Sequence, residues 1–179
     1  MNLAYTQPAL GELPPVFLTS NASPVWRGAN RVVPSSGTWS ATNRIIYVPF
    51  VLTAGSMVYR YFWLNGATVG TNNFQVGVYD SAFAAINRGT STLSAGANVC
   101  QFDNITDYFL SPGRYYMAMW GNGTTATVFR LSGSASQSMG VYYETNAGGL
   151  PTTGTPADPA VVATAYLPMF GLALRATDP

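Results

Sequence analysis

The sequence predicts an all-β protein: an antiparallel β-sandwich of jelly-roll character with an extended N-terminal arm. Three observations lead there. Runs of β-branched and aromatic residues recur along the chain, clusters of glycine, proline and asparagine separate them, and no stretch has the apolar spacing of an amphipathic helix. About eight strands punctuated in this way fit a sandwich or jelly roll. No internal repeat of solenoid or propeller period is present.

Residues 1–43 read as the arm and residues 44–179 as the sandwich. Pro8, Pro14, Pro15, Pro24 and Pro34 interrupt the arm, and proline is excluded from helix interiors and central strands. Its apolar patches, Val16, Phe17, Leu18, Val25, Trp26, Val32 and Val33, are the candidate assembly-interface residues of an extended segment that packs on its own sandwich or on a neighbour. On this reading, removing residues 1–43 weakens assembly more than it weakens the fold.

From Arg44 the strand signals are dense. Ile45–Leu52 is a continuous apolar run in which Pro49 demands an edge or a bulge. Met57–Leu64 is apolar on both faces and therefore central, with Val58, Arg60, Phe62 and Leu64 on one side and Met57, Tyr59, Tyr61 and Trp63 on the other. Phe74–Asp80 alternates cleanly, and Ser81–Ile86 is the one stretch with room for a helical turn. Val99–Phe102 reads as a short strand and Asp103–Asp107 as a turn or corner. Arg114–Trp120 reads as a central strand, and Gly121-Asn122-Gly123 as a hairpin signal joining it to Thr125–Leu131. Met139–Tyr143 is a further strand, Gly148–Pro159 a loop, and Tyr166–Leu174 a last strand bulged at Pro168 or Gly171. The expected core comprises Ile46, Val48, Phe62, Leu64, Val76, Val78, Met117, Val128, Leu172 and Leu174.

Composition restricts function. Only 8% of the 179 residues are charged, where a soluble domain usually carries about 25%. Lysine and histidine are absent, and the eight basic residues are arginines scattered along the chain. A net charge of +1 with no basic cluster disfavours nucleic acid and anionic membranes. The apolar stretches Ile45–Tyr59 and Ala160–Leu174 contain proline and glycine and fall short of the roughly 18 residues of a membrane span. The N-terminus lacks the basic and apolar regions of a secretory signal, which places synthesis in the cytoplasm. Cys100 is the only cysteine, so no intramolecular disulfide forms, and a buried free thiol is expected.

Without histidine, Ser-His-Asp and Cys-His triads and conventional zinc sites are excluded; without lysine, so is a Walker phosphate loop. No enzymatic activity and no cofactor are expected. Among the seven acids, Asp103 and Asp107 could sit near Asp80 and hold a cation such as calcium. The stronger expectation is that they bond local backbone amides. Tyr59, Tyr61, Trp63, Tyr115, Tyr116, Trp120, Tyr142 and Tyr143 could stack on a sugar, but aromatics on strands more often fill cores and subunit interfaces. Pro112-Gly113-Arg114-Tyr115-Tyr116 has the form of a sandwich corner tyrosine.

Tyr47-Val48-Pro49-Phe50, Phe62-Trp63-Leu64-Asn65-Gly66 and Val76-Gly77-Val78-Tyr79-Asp80 together resemble a class of short tailed-bacteriophage virion proteins. Ile105-Thr106-Asp107, Leu110-Ser111-Pro112-Gly113-Arg114-Tyr115-Tyr116 and Tyr166-Leu167-Pro168-Met169-Phe170-Gly171 extend the resemblance to residues 45 to 174. It implies a sandwich or jelly-roll subunit that decorates a capsid or forms part of a tail. The first expectation is a homotrimeric decoration or cement protein on the capsid exterior, partnered by the major capsid protein. The alternative is a tail-tip or fibre module that binds a host glycan.

Overall fold

A computed structural model describes residues 16–18, 35–131, 141–157 and 167–176, with strands, turns and loops but no helix among the described residues. The strands are β1 (Val16–Leu18), β2 (Ser35–Thr38), β3 (Arg44–Leu52), β4 (Ser56–Leu64), β5 (Asn73–Tyr79), β6 (Ala85–Arg88) and β7 (Thr92–Leu93). They continue as β8 (Cys100–Leu110), β9 (Gly113–Gly121), β10 (Thr127–Leu131), β11 (Tyr142–Thr145), β12 (Leu167–Pro168) and β13 (Phe170–Ala176).

One layer is the sheet β11-β3-β9-β5-β6, with β7 also on β5; the other is β1-β13-β4-β8. A small sheet, β12-β10-β2, continues the second layer: Leu64 N donates to Met169 O at 3.0 Å, Met169 N donates to Phe129 O at 2.8 Å, and Asn65 bridges Val128. The pairings between these strands are antiparallel. Successive long strands alternate between the layers, β3, β5, β9 and β11 in one and β4, β8 and β13 in the other. The short loops between them are arches from sheet to sheet.

The main core fills the space between the layers. β3 contributes Ile46, Val48, Phe50 and Leu52, β5 Phe74, Val76 and Val78, and β9 Met117 and Met119. Facing them are Val58, Tyr61 and Trp63 of β4 with Phe170, Leu172 and Leu174 of β13. A second cluster of Ile45, Tyr47, Tyr79, Ala118, Trp120 and Leu150 covers the other face of the larger sheet, which is why β3 is apolar at successive positions. The open loop expected at Gly148–Pro159 supplies Leu150 to this cover; its described part, to Ala157, contains no strand.

Several expectations need correction. β4 is central, between β13 and β8, but its alternation changes phase. In the pairing with β13, Val58 faces Leu174 and Arg60 faces Ala173, leaving Tyr59 as an extra residue. Beyond this bulge Tyr61 and Trp63 point into the core, while Phe62 and Leu64 turn outward; Phe62 is buried against Phe102 instead (ring centroids 6.4 Å), and Leu64 is half-buried. A bulge shifts side-chain parity by one residue, and strict alternation cannot anticipate it. The corner at Asp103–Asp107 is a second irregularity inside one long strand: β8 pairs Tyr108 with Val58 and Asn104 with Arg60, so Ile105–Asp107 bulge opposite Tyr59.

Gly121-Asn122-Gly123 is not a hairpin, because β9 pairs with β3 and β5 while β10 pairs with β2 and β12. Gly121 is required by proximity: a Cβ there would lie 2.8 Å from Phe74 Cε1 and from Trp39 Nε1. Ser81–Ile86 forms a turn leading into β6 rather than a helical turn. The last strand is split at Met169 into β12 and β13, and its bulge lies between Ala173 and Leu174. Pro49 behaves as expected: among the described residues β11 pairs only with Arg44–Tyr47 and stops short of Pro49, so that this side of β3 is locally an edge there.

The arm contributes to the sandwich. β1 pairs with β13, β2 pairs with β10, and Trp39 belongs to the main core. A cut at residue 43 therefore removes part of the fold along with any arm.

Candidate functional site

The polar side chains are arranged around the loops. Asp80 Oδ1 accepts from the backbone N–H of Ala82 (2.8 Å) and Ala84 (2.9 Å). These bonds hold a turn in which Phe83 has φ 61°, a left-handed value that a bulky residue adopts only when its surroundings impose it. Glu144 Oε2 accepts from Tyr47 Oη (2.8 Å) and from Thr155 N (2.9 Å). Asp103 Oδ2 accepts from Thr90 N at 2.6 Å. Each acid thus clasps a different loop. Among the described residues no three His, Cys, Asp or Glu side chains gather to hold a metal ion. Asp103 faces Tyr61 on β4, whereas Asp107 lies in the bulge; the expected bond to a local backbone amide is corrected for Asp103, whose partner Thr90 N is thirteen residues away and reaches it only through the fold.

Burial pushes the Asp103 carboxyl above its usual range, and the Thr90 N–H partly opposes this. An acid with a raised folded pKa stabilises the fold below its unfolded value, and that contribution is lost as the pH rises through the folded one. Asp103→Asn keeps an oxygen for Thr90 and removes the titration. In denaturant unfolding from about pH 3 to pH 7, the stability of the variant relative to wild type is expected to rise with pH. A difference that is flat or falls with pH would exclude this role for Asp103.

The candidate aromatics divide by burial. Tyr61, Trp63, Trp120 and Tyr143 are buried, and three of them have bonded polar ends: Tyr61 Oη lies 2.8 Å from Tyr108 Oη, Trp63 Nε1 donates to Asn65 Oδ1 (3.0 Å), and Trp120 Nε1 donates to Asn146 O (2.7 Å). Burial pushes the Tyr61 and Tyr108 hydroxyls well above the usual tyrosine range. Tyr115 is the corner tyrosine, its hydroxyl donating to Ser111 O at 2.8 Å. Tyr59 is half-buried, beside Arg60, whose guanidinium carbon lies 5.5 Å from its ring centroid.

Tyr116 and Tyr142 remain half-exposed and join Phe83. Phe83 stacks on Tyr116 at 4.3 Å and 20°, and Tyr142 meets both rings edge-on, at 5.3 and 5.7 Å. Sequence reasoning missed Phe83, because only the Asp80 turn brings it to the sheet. Cys100 is half-buried rather than buried, and desolvation pushes its thiol pKa up. Of the arm candidates, Val16, Phe17 and Leu18 lie on β1, paired with Ala173, Leu172 and Gly171; Val25, Trp26, Val32 and Val33 lie outside the described residues.

These features define a class: an antiparallel β-sandwich whose Asp80, Asp103 and Glu144 carboxylates are bonded to its own loops. No protein-family model, curated protein or solved structure matches the chain.

Proposed function

We propose that this chain is a non-enzymatic structural subunit of a bacteriophage particle, a decoration or cement protein on the capsid exterior that stabilises the head by bridging major capsid proteins. The observation that carries this reading is the pairing of a rigid sandwich with a nearly uncharged composition: 8% of residues are charged, and Asp80, Asp103 and Glu144 are bonded to loop backbone. Such a surface packs repeatedly without like-charge repulsion, and binding to the assembled lattice stabilises it by linkage. The virion resemblance of residues 45–174 supplies the setting. A homotrimer suits the local three-fold positions of an icosahedral shell.

The half-exposed Phe83, Tyr116 and Tyr142 cluster favours the second reading, a tail-tip or fibre module that stacks on a host glycan. Copy number separates the two. A decoration subunit is expected in hundreds of copies per purified particle and a tail component in a few; absence from particles overturns both. In sedimentation at low and high ionic strength the trimer is expected to persist, since screening acts on charges that are mostly missing. Dissociation by moderate salt would reject that interface chemistry.

A further inference from the structure

The dipeptide Asn-Gly occurs twice in the chain, at Asn65-Gly66 and Asn122-Gly123, and the fold treats the two oppositely. Asparagine is a chemically labile residue. It is most labile before glycine, whose missing side chain leaves the following backbone nitrogen open to the Asn carboxamide. At Asn65-Gly66 the reacting atoms are held. Both residues are buried, Asn65 Nδ2 donates to Ala95 O, Gly96 O and Gln101 Oε1, and Gly66 N donates to Thr127 O at 2.8 Å. At Asn122-Gly123 both residues are half-buried, beside the exposed Thr124 and Thr125. Among the described residues neither Gly123 N nor Asn122 Nδ2 has a hydrogen-bond partner. Asn122 Oδ1, by contrast, accepts from Asn73 N (2.8 Å) and from Asn72 Nδ2 (3.3 Å).

We propose that Asn122-Gly123 is a self-modifying site that converts to aspartate and isoaspartate within the folded protein, while the fold keeps Asn65-Gly66 intact. Gly123 N gives its proton to hydroxide and attacks Asn122 Cγ. The N–Cγ bond forms as the carbonyl electron pair moves onto Oδ1. The two donors on Oδ1 lie where that negative charge develops, an arrangement that stabilises a tetrahedral oxyanion. Collapse breaks the Cγ–Nδ2 bond, and the departing nitrogen takes a proton from water and leaves as ammonia. Water then opens the succinimide ring. Addition at the side-chain carbonyl gives aspartate, and addition at the backbone carbonyl gives isoaspartate, in which the main chain runs through the side chain. Either product adds one negative charge and takes the formal net charge from +1 to zero. Isoaspartate also lengthens the main chain at the arch from β9 to β10, where Asn122 N donates to Asn73 O at 3.2 Å.

The test is incubation of the full chain at mildly alkaline pH, native and in guanidinium chloride, followed by cleavage after arginine and fragmentation mass spectrometry. Cleavage separates the sites, because Asn122 lies in the peptide Tyr115–Arg130 and Asn65 in Tyr61–Arg88. In the native protein, position 122 is expected to acquire aspartate and isoaspartate, with a more acidic species on isoelectric focusing, while Asn65 stays unchanged. In denaturant the two sites are expected to react at similar rates. Unfolding therefore accelerates Asn65 at least about 100-fold, since in the fold it must wait for a rare opening. It changes Asn122 less than about 10-fold, since the attacking and leaving nitrogens there are already unbonded. A native Asn122 that reacts no faster than native Asn65, or that accelerates on unfolding as much as Asn65 does, overturns the proposal.

Discussion

Replacing Trp39 by alanine is expected to lower the free energy of unfolding by about 3–5 kcal/mol, the usual range for a large aromatic truncated in a packed core. Trp39 is 1% exposed and meets Phe74 edge-on at 5.4 Å and 64°. Its Nε1 donates to Arg44 O at 3.3 Å, and Gly121 closes on it from β9. Little around this ring can collapse into the space it would leave, since Phe74 and Gly121 belong to the paired strands β5 and β9. Urea unfolding checks the value; a loss below about 1 kcal/mol would place Trp39 outside the core. The same geometry governs truncation. Deleting residues 1–43 removes Trp39 and the pairing of β2 with β10, so it probes the fold as well as assembly. The difference in stability between a cut before Ser35 and a cut after Asn43 isolates the share of β2 and Trp39.

The second large effect is expected at Asn65, which is fully buried. Its Oδ1 accepts from Trp63 Nε1 at 3.0 Å, and its Nδ2 donates to Ala95 O (2.7 Å) and Gln101 Oε1 (2.8 Å). Asn65→Ala leaves the indole N–H and the Ala95 carbonyl short of a partner in a buried site. Each such group costs about 1–3 kcal/mol, so a total near 3 kcal/mol is expected in the same unfolding assay. Asn65→Asp keeps the acceptor for Trp63 but loses the donor. It should also weaken the 95–101 loop, read as faster amide exchange at Ala95. Gln101 Oε1 is held by Ala95 N as well, at 2.8 Å, so wild-type exchange there would reject the role of Asn65 as the link between β4 and this loop.

How much was legible depends on the range of the interaction involved. Strand positions followed from local pattern, and so did the corner tyrosine, because Tyr115 and Ser111 lie four residues apart. The clasping roles of Asp103 and Glu144 were not legible, since their partners Thr90, Tyr47 and Thr155 meet them only through folding. Phe62 is buried as expected, but it was placed on the same face as Val58 because the Tyr59 bulge leaves no mark in the composition of β4.

The sequence by itself determined the all-β class, the low charge and the absence of histidine and lysine chemistry, because these are properties of residue type and short-range alternation. The tertiary structure decided which turns are arches rather than hairpins, which face each strand presents after its bulge, and that the arm supplies Trp39 and β2 to the sandwich. Those outcomes depend on register and sheet choice, which are settled by contacts between residues far apart in the chain. Gly121-Asn122-Gly123 has the composition of a hairpin turn, yet the chain crosses there to the other layer, where Val128 of β10 enters the common core.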